Sequence, residues 1–247
     1  MSSLMLRLFP TEVFHVLGYH DEVALAAPER GRLLDLGCGD NGALASFRTP
    51  DREVWGTDFQ AHSALQHPEW FRTLPSDGTL PFPDGHFDAV AARMVLEHVA
   101  HPRTFLREVA RVLKPGGHFV GHTVSGTHYV SGHFVGHTVS GTHYVTWLRR
   151  VFGLLPHAVN QLVVRGLYGR ACEDTFVAHY RLNGERQIAR ACRGTGLVPV
   201  RLRRYADPGY FQFWPWLRDL AIRIDHALEK VAPGWGRLYL TTVLKKQ

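Results

Sequence analysis

The chain is poor in cysteine, with three in 247 residues: Cys38, Cys172 and Cys192. They form no CxxC pair and no even framework. The sequence is therefore neither a disulfide-stapled scaffold nor a zinc ribbon, and a reducing, cytoplasmic compartment is expected. No apolar run is long enough to span a bilayer. The opening MSSLMLRLFPTEVFHVLG carries too short an apolar stretch, and Glu12 too early, to read as a secretory leader. Basic residues are also scarce in one place. Between residues 35 and 92 stand nine acids and only three bases, Arg48, Arg52 and Arg72. Such surroundings serve a pyrophosphate poorly and a cation well.

What remains is ordinary globular material: 45% hydrophobic residues and enough length for one sizeable core. The net charge of +6 is unevenly spread. Residues 1–100 hold seven Lys/Arg against fourteen Asp/Glu, and residues 101–247 hold twenty-one against eight. The basic half is either a surface for an anionic partner or simply solvated arginine.

Residues 33–42, LLDLGCGDNG, read as an aliphatic strand ending in an acid, then a tight glycine turn. Gly37 and Gly39 lack a Cβ, so the backbone can turn sharply and a ligand can come close. GCGDNG also satisfies the dinucleotide pattern G-x-G-x-x-G, but that match alone does not choose a cofactor. A second strand, Val54–Asp58, ends in an acid 23 residues after Asp35, about where a doubly wound fold places a ribose-binding carboxylate.

Further segments follow in order: D-x-x-LPFPDGHFD (77–88), LEHV (96–99) and RVLKPGG (111–117). Together with DLGCG (35–39) and GTD (56–58), they make the chain resemble class I S-adenosylmethionine (SAM) dependent methyltransferases. The resemblance is to the type 11 group that includes ubiquinone/menaquinone-type enzymes, and it covers a little over a third of the chain. A dehydrogenase more often has an aliphatic residue where Asp35 stands. The resemblance implies an α/β fold: a doubly wound, Rossmann-like seven-stranded sheet with an antiparallel C-terminal strand. It implies a single methyltransferase domain over 1–247, with the SAM-binding core at 30–123. The duplicated segment and substrate-side insertion would occupy 124–183, and 184–247 would complete the sheet with an aromatic-rich insertion. SAM is the implied cofactor. Asp35, Gly37, Cys38 and Gly39 would hold its methionyl part and Asp58 its ribose, with Phe59 beside the adenine. Asp77 would take the adenine amino group, with Gly78 and Leu80 nearby, and Arg93 ends the strand that faces the cofactor. Candidate proton acceptors are His98, His122, His179 and Tyr180. His98 is also readable as a structural histidine at a helix start.

Periodicity supplies the elements. Strands are expected at Arg32–Leu36, Val54–Asp58, near Phe71–Leu74, at Phe87–Ala92 and from His118. Helix A should begin near Asn41 and helix B should lie around Ala61–Gln66. A helix opened by His101-Pro102 buries Phe105, Leu106, Val109, Ala110, Val112 and Leu113. Near the C-terminus, a helix over Gly184–Arg193 precedes strands at Leu197–Tyr205 and Trp235–Leu244. The aromatic stretches between strand five and Gly184, and at Tyr210–Trp216, are expected over the carboxyl ends of the strands, as the substrate pocket.

One feature departs from the family. GHFVGHTVSGTHYV at 117–130 recurs without change at 132–145. Two identical copies are not a solenoid; they indicate a tandem duplication. It holds six of the sixteen histidines, but at strand-like spacing and without nearby acids or cysteines, so no metal is expected. The expected partner is a small hydrophobic or anionic acceptor for C- or O-methylation. Peripheral contact with anionic lipid is left open. Nucleic acid is disfavoured, because RMVL (93–96) stands where a base-modifying enzyme would carry an Asn/Asp-Pro-Pro-Tyr/Phe type motif. The rival reading is a SAM-binding protein whose turnover is impaired by the duplication at 117–146.

Overall fold

The computed structural model describes residues 3–8, 15–125, 179–205, 215–231, 237 and 239–247. The end of the first repeat copy, the whole of the second, Cys172, the insertion up to residue 178 and Tyr210–Trp214 lie outside the described residues.

Seven strands form one sheet in the order β3-β2-β1-β4-β5-β7-β6. They are β1 (Gly31–Leu36), β2 (Arg52–Asp58), β3 (Phe71–Thr73), β4 (Phe87–Arg93), β5 (Leu113–Val124), β6 (Leu197–Tyr205) and β7 (Tyr239–Lys246). The pairs β1–β2, β1–β4, β2–β3 and β4–β5 are parallel. β7 runs antiparallel to both β5 and β6. This is the expected seven-stranded class I methyltransferase architecture, with its C-terminal hairpin.

The helices are α1 (Ser3–Leu8), α2 (His15–Ala26), α3 (Pro102–Val112), α4 (Glu185–Cys192) and α5 (Pro215–Val231). Alternate strand residues serve two cores. Leu34, Val90 and Phe119 face Leu106, Val109 and Ile188 of α3 and α4. Leu33, Ala89, Ala91, Val120 and Val243 face Tyr19 and Val23 of α2. Helix α2 is also held by charge. Its buried Glu22 pairs with Arg201 at 2.7 Å and Arg203 at 3.1 Å on β6.

Two expected helices are absent. Helix A is reduced to a single 3-10 turn at Ala45–Phe47. Asn41 has φ +59°, Gly42 is engaged by the Asp40 carboxylate, and Pro50 biases Thr49 to extended backbone, so too few residues remain to nucleate a helix. Helix B is replaced by turns. Residues 61–66 are almost all exposed, so no buried face offsets the cost of nucleation, and Gln66 is instead tied to Asp40 through side chain and backbone. Strand β5 begins at Leu113, before the expected His118. Leu113 pairs with Phe87 and the regular ladder starts at His118–Ala89, so Lys114–Gly117 bulges between them. Helix α5 was not expected; it follows the aromatic stretch, with Pro215 at its first position.

Candidate functional site

Strands β1, β2, β4 and β5 all end at one edge of the sheet. There Asp35 lies between Gly56 of β2 and Ala91 of β4, and is buried. Burial pushes its carboxyl up to about 7, the nearby Arg93 cation opposes this, and Asp58 and Asp40 add to it. After Asp35 the chain turns through Gly37 and Gly39, at φ +75° and +55°. Both Gly37 and Cys38 donate backbone N–H bonds to Thr57 O, fixing the turn on β2. A Cβ at Gly39 would meet nothing within 4 Å, so the backbone there faces open space.

The Asp58 carboxylate accepts the Gly39 N–H at 3.0 Å on Oδ2 and the Phe59 N–H at 2.8 Å on Oδ1. Each oxygen keeps a second lone pair. The Phe59 side chain, at the end of the same strand, is 55% exposed. Cys38 is buried, and its thiol is pushed up to about 12 by burial and then by Asp35 and Asp58, so it stays protonated at neutral pH. The loop 77–84 is pinned by one cation. Arg111 donates to Leu80 O, Phe82 O and the Asp84 carboxylate, and is itself oriented by Glu108. Leu80 lies in the core with its N–H on Glu108, whereas Asp77 is exposed and caps the Thr79 N–H. Gly78 completes that turn at φ +79°.

The candidate proton acceptors lie in different surroundings. His122 is fully buried on β5, with Nδ1 2.7 Å from the Thr241 hydroxyl. Its ring stacks on Tyr239 at 5.3 Å and lies 5.5 Å from Tyr19. His98 closes a 3-10 turn, Leu96–His98, and its backbone N–H donates to Val95 O. His179 and Tyr180 both donate backbone N–H bonds to Glu97 O. Burial, then the Glu97 charge, pushes the Tyr180 phenol up to about 12, so it can donate a proton in a hydrogen bond but does not ionise near neutrality.

The methyltransferase-domain family model matches residues 34–121. The chain is 35% identical over 114 residues to a fatty-acid O-methyltransferase of Mycolicibacterium smegmatis, covering 41% of this chain and 40% of that protein. It is 37% identical over 101 residues to a ubiquinone/menaquinone biosynthesis C-methyltransferase of Desulfotalea psychrophila, covering 38% and 41%. The chain thus spans about two fifths of the length of these curated relatives. Its fold is similar to the crystal structure of a S-adenosylmethionine dependent methyltransferase from Mesorhizobium loti. That likeness has a TM-score of 0.55 at 17% identity, over 92% of this chain and 96% of the other.

Three polar groups around this edge of the sheet went unassigned in the sequence. Tyr19 of α2 is fully buried, its hydroxyl has no hydrogen-bond partner among the described residues, and the two charges acting on it are Asp35 and Arg93. Glu97 is buried, with Oε2 on the Thr123 hydroxyl at 2.7 Å and Oε1 without a partner among the described residues; burial raises its carboxyl. Asn183 donates to Thr123 and to Val124 O, and its own amide oxygen has no partner among the described residues. Glu97 stood beside the candidate His98 in LEHV, so a motif marked it. Tyr19 and Asn183 lie outside residues 34–121, and no spacing linked them to the site.

Proposed function

We propose that the protein is a SAM-dependent methyltransferase that acts on a small hydrophobic or anionic acceptor. The observation that carries this reading is the buried Asp35 beside the open Gly39 turn, with Asp40 and Asp58 close enough to raise its pKa. Such a mouth suits a cation with a diol, and it repels a pyrophosphate. The fit extends to Tyr19, whose buried, unpartnered hydroxyl needs a hydrogen-bond partner.

In this reading SAM, when bound, supplies a methyl carbon already activated by its sulfonium. The chain holds and shields it. Asp35 takes the ammonium of the methionyl part, and the Gly37–Gly39 turn lets the backbone approach it. Asp58 accepts the ribose hydroxyls on its free lone pairs, Phe59 covers the adenine, and Asp77 with Gly78 receives its amino group. Arg93 and Tyr19 close the methionyl end. The transfer itself needs alignment and exclusion of water. A base is required only for a protonated, weakly acidic nucleophile. Of the candidates, His98 and His179 border Glu97, and His122 is committed to Thr241.

The names of the matched relatives, a fatty-acid O-methyltransferase and a ubiquinone/menaquinone biosynthesis C-methyltransferase, support an apolar acceptor. The duplication supports a second reading, a SAM-binding protein with impaired turnover. β5, where the repeat begins, is paired on both edges by β4 and β7, so neither edge of β5 is open to a further strand. Incubation with SAM and extracts of lipids, quinones and polyketides, read by mass spectrometry for a methylene increment, tests the function. A methylated product supports transfer. SAM binding without any product supports the second reading.

A further inference from the structure

Helix α3 and helix α4 both start at the carboxyl edge of the sheet. β4 leads through the 96–98 turn to α3, and Asn183, just before α4, is bonded to Val124 O at the end of β5. Between the start of α3 and one side of α4 lies an open hollow of about 520 Å³. Arg103, Arg181 and Arg190 line it together with His101, Thr104 and Gln187, and no acid does. None of the three arginines has a carboxylate partner among the described residues. The nearest acid in sequence, Glu185, is turned to Arg204 at 3.6 Å.

Arg181 is fixed by a 2.7 Å bond from Nη1 to Ala100 O, leaving its other donors free. Its segment is held by the His179 and Tyr180 bonds to Glu97 O and by Gln187, which donates to Tyr180 O and accepts the Asn183 N–H. Three exposed guanidinium groups around one hollow, with no acid in its lining, give it a positive field that favours an anion. The start of α3 adds to the demand: His101 gives no side-chain cap and the first turn has no acid. Guanidinium forks match the oxygens of a phosphate.

We infer that this hollow is a binding subsite for a phosphate group, a mono- or diphosphate ester, separate from the acidic cofactor cleft. The inference rests on the arginine cluster and does not require the methyltransferase reading. The ester can be a soluble compound or a lipid headgroup.

The test uses the full chain and the variant Arg103→Gln/Arg190→Gln, which spares the structural bond of Arg181. Calorimetry with inorganic pyrophosphate addresses the soluble source. Co-sedimentation with phosphatidic acid vesicles, against phosphatidylcholine vesicles, addresses the headgroup. Saturable binding in either arm, weakened about tenfold or more in the double variant at unchanged melting temperature, supports the subsite. Binding in neither arm, or binding indifferent to the two substitutions, overturns it. SAM titration of the same samples separates the two proposals, because loss of the phosphate site leaves SAM affinity intact.

Discussion

At the scale of single residues, Asp35 makes the sharpest demands. Its carboxyl titrates near 7 in the folded chain against an ordinary value of 3.8. Between these values the folded protein holds a proton that the unfolded chain has released. Its contribution to stability is therefore greatest below pH 4 and is lost as pH rises towards 7, by up to roughly 4 kcal/mol. A bound cation reverses this, because it favours the ionised form. SAM affinity should fall by about tenfold per pH unit from 7 to 5 as binding must expel a proton, and Asp35→Asn should remove that slope. Calorimetry in buffers of different ionisation enthalpy would detect the released proton; a flat affinity from pH 5 to 8 would contradict the role given to Asp35. Tyr19 yields a second prediction. Its hydroxyl is buried and unpartnered, so Tyr19→Phe should leave the melting temperature unchanged or higher while weakening SAM binding by about 1 kcal/mol. A lower melting temperature with unaltered affinity would assign Tyr19 to the core alone.

At the scale of elements, the strands were legible and the connections were not. β6 spans the expected residues, and β1 to β4 differ by one or two at their ends, because alternation and flanking glycines mark strands locally. Helices A and B, expected near Asn41 and around Ala61–Gln66, are not formed. The residues there, with Gly42, Pro50 and an exposed polar stretch at 61–66, do not supply a buried face. Asp35, Gly37, Gly39 and Asp58 could be located because they sit in short motifs. Tyr19 could not, because only the pairing of α2 against β5 and β7 brings it to Asp35. The tie that docks α2 was equally invisible: Glu22 and Arg201 are 179 positions apart. Glu22→Ala should strand two half-exposed arginines and lower stability by about 1–3 kcal/mol in denaturant unfolding. An unchanged midpoint would show that the apolar face of α2 suffices.

At the scale of the whole molecule, the seven-stranded sheet is complete with one copy of the repeat, since residues 118–124 fill the place between β4 and β7. Deleting residues 132–146 should therefore give a protein at least as stable as the full chain, with SAM binding retained and activity equal or higher. Ordering the second copy without a sheet position would cost roughly 1–2 kcal/mol per backbone residue. A deletion variant that melts well below the full chain would show that both copies are integrated.

The central claim is that the acidic, glycine-turned edge of β1 and β2 holds SAM and not a dinucleotide. Its most direct test is a calorimetric titration of the full chain with SAM, beside NADH, repeated on Asp58→Ala. The account predicts saturable SAM binding, none for NADH, and a loss of about 1.5–3 kcal/mol on removing the Asp58 carboxylate. Saturable NADH binding, or SAM affinity indifferent to Asp58→Ala, would contradict it.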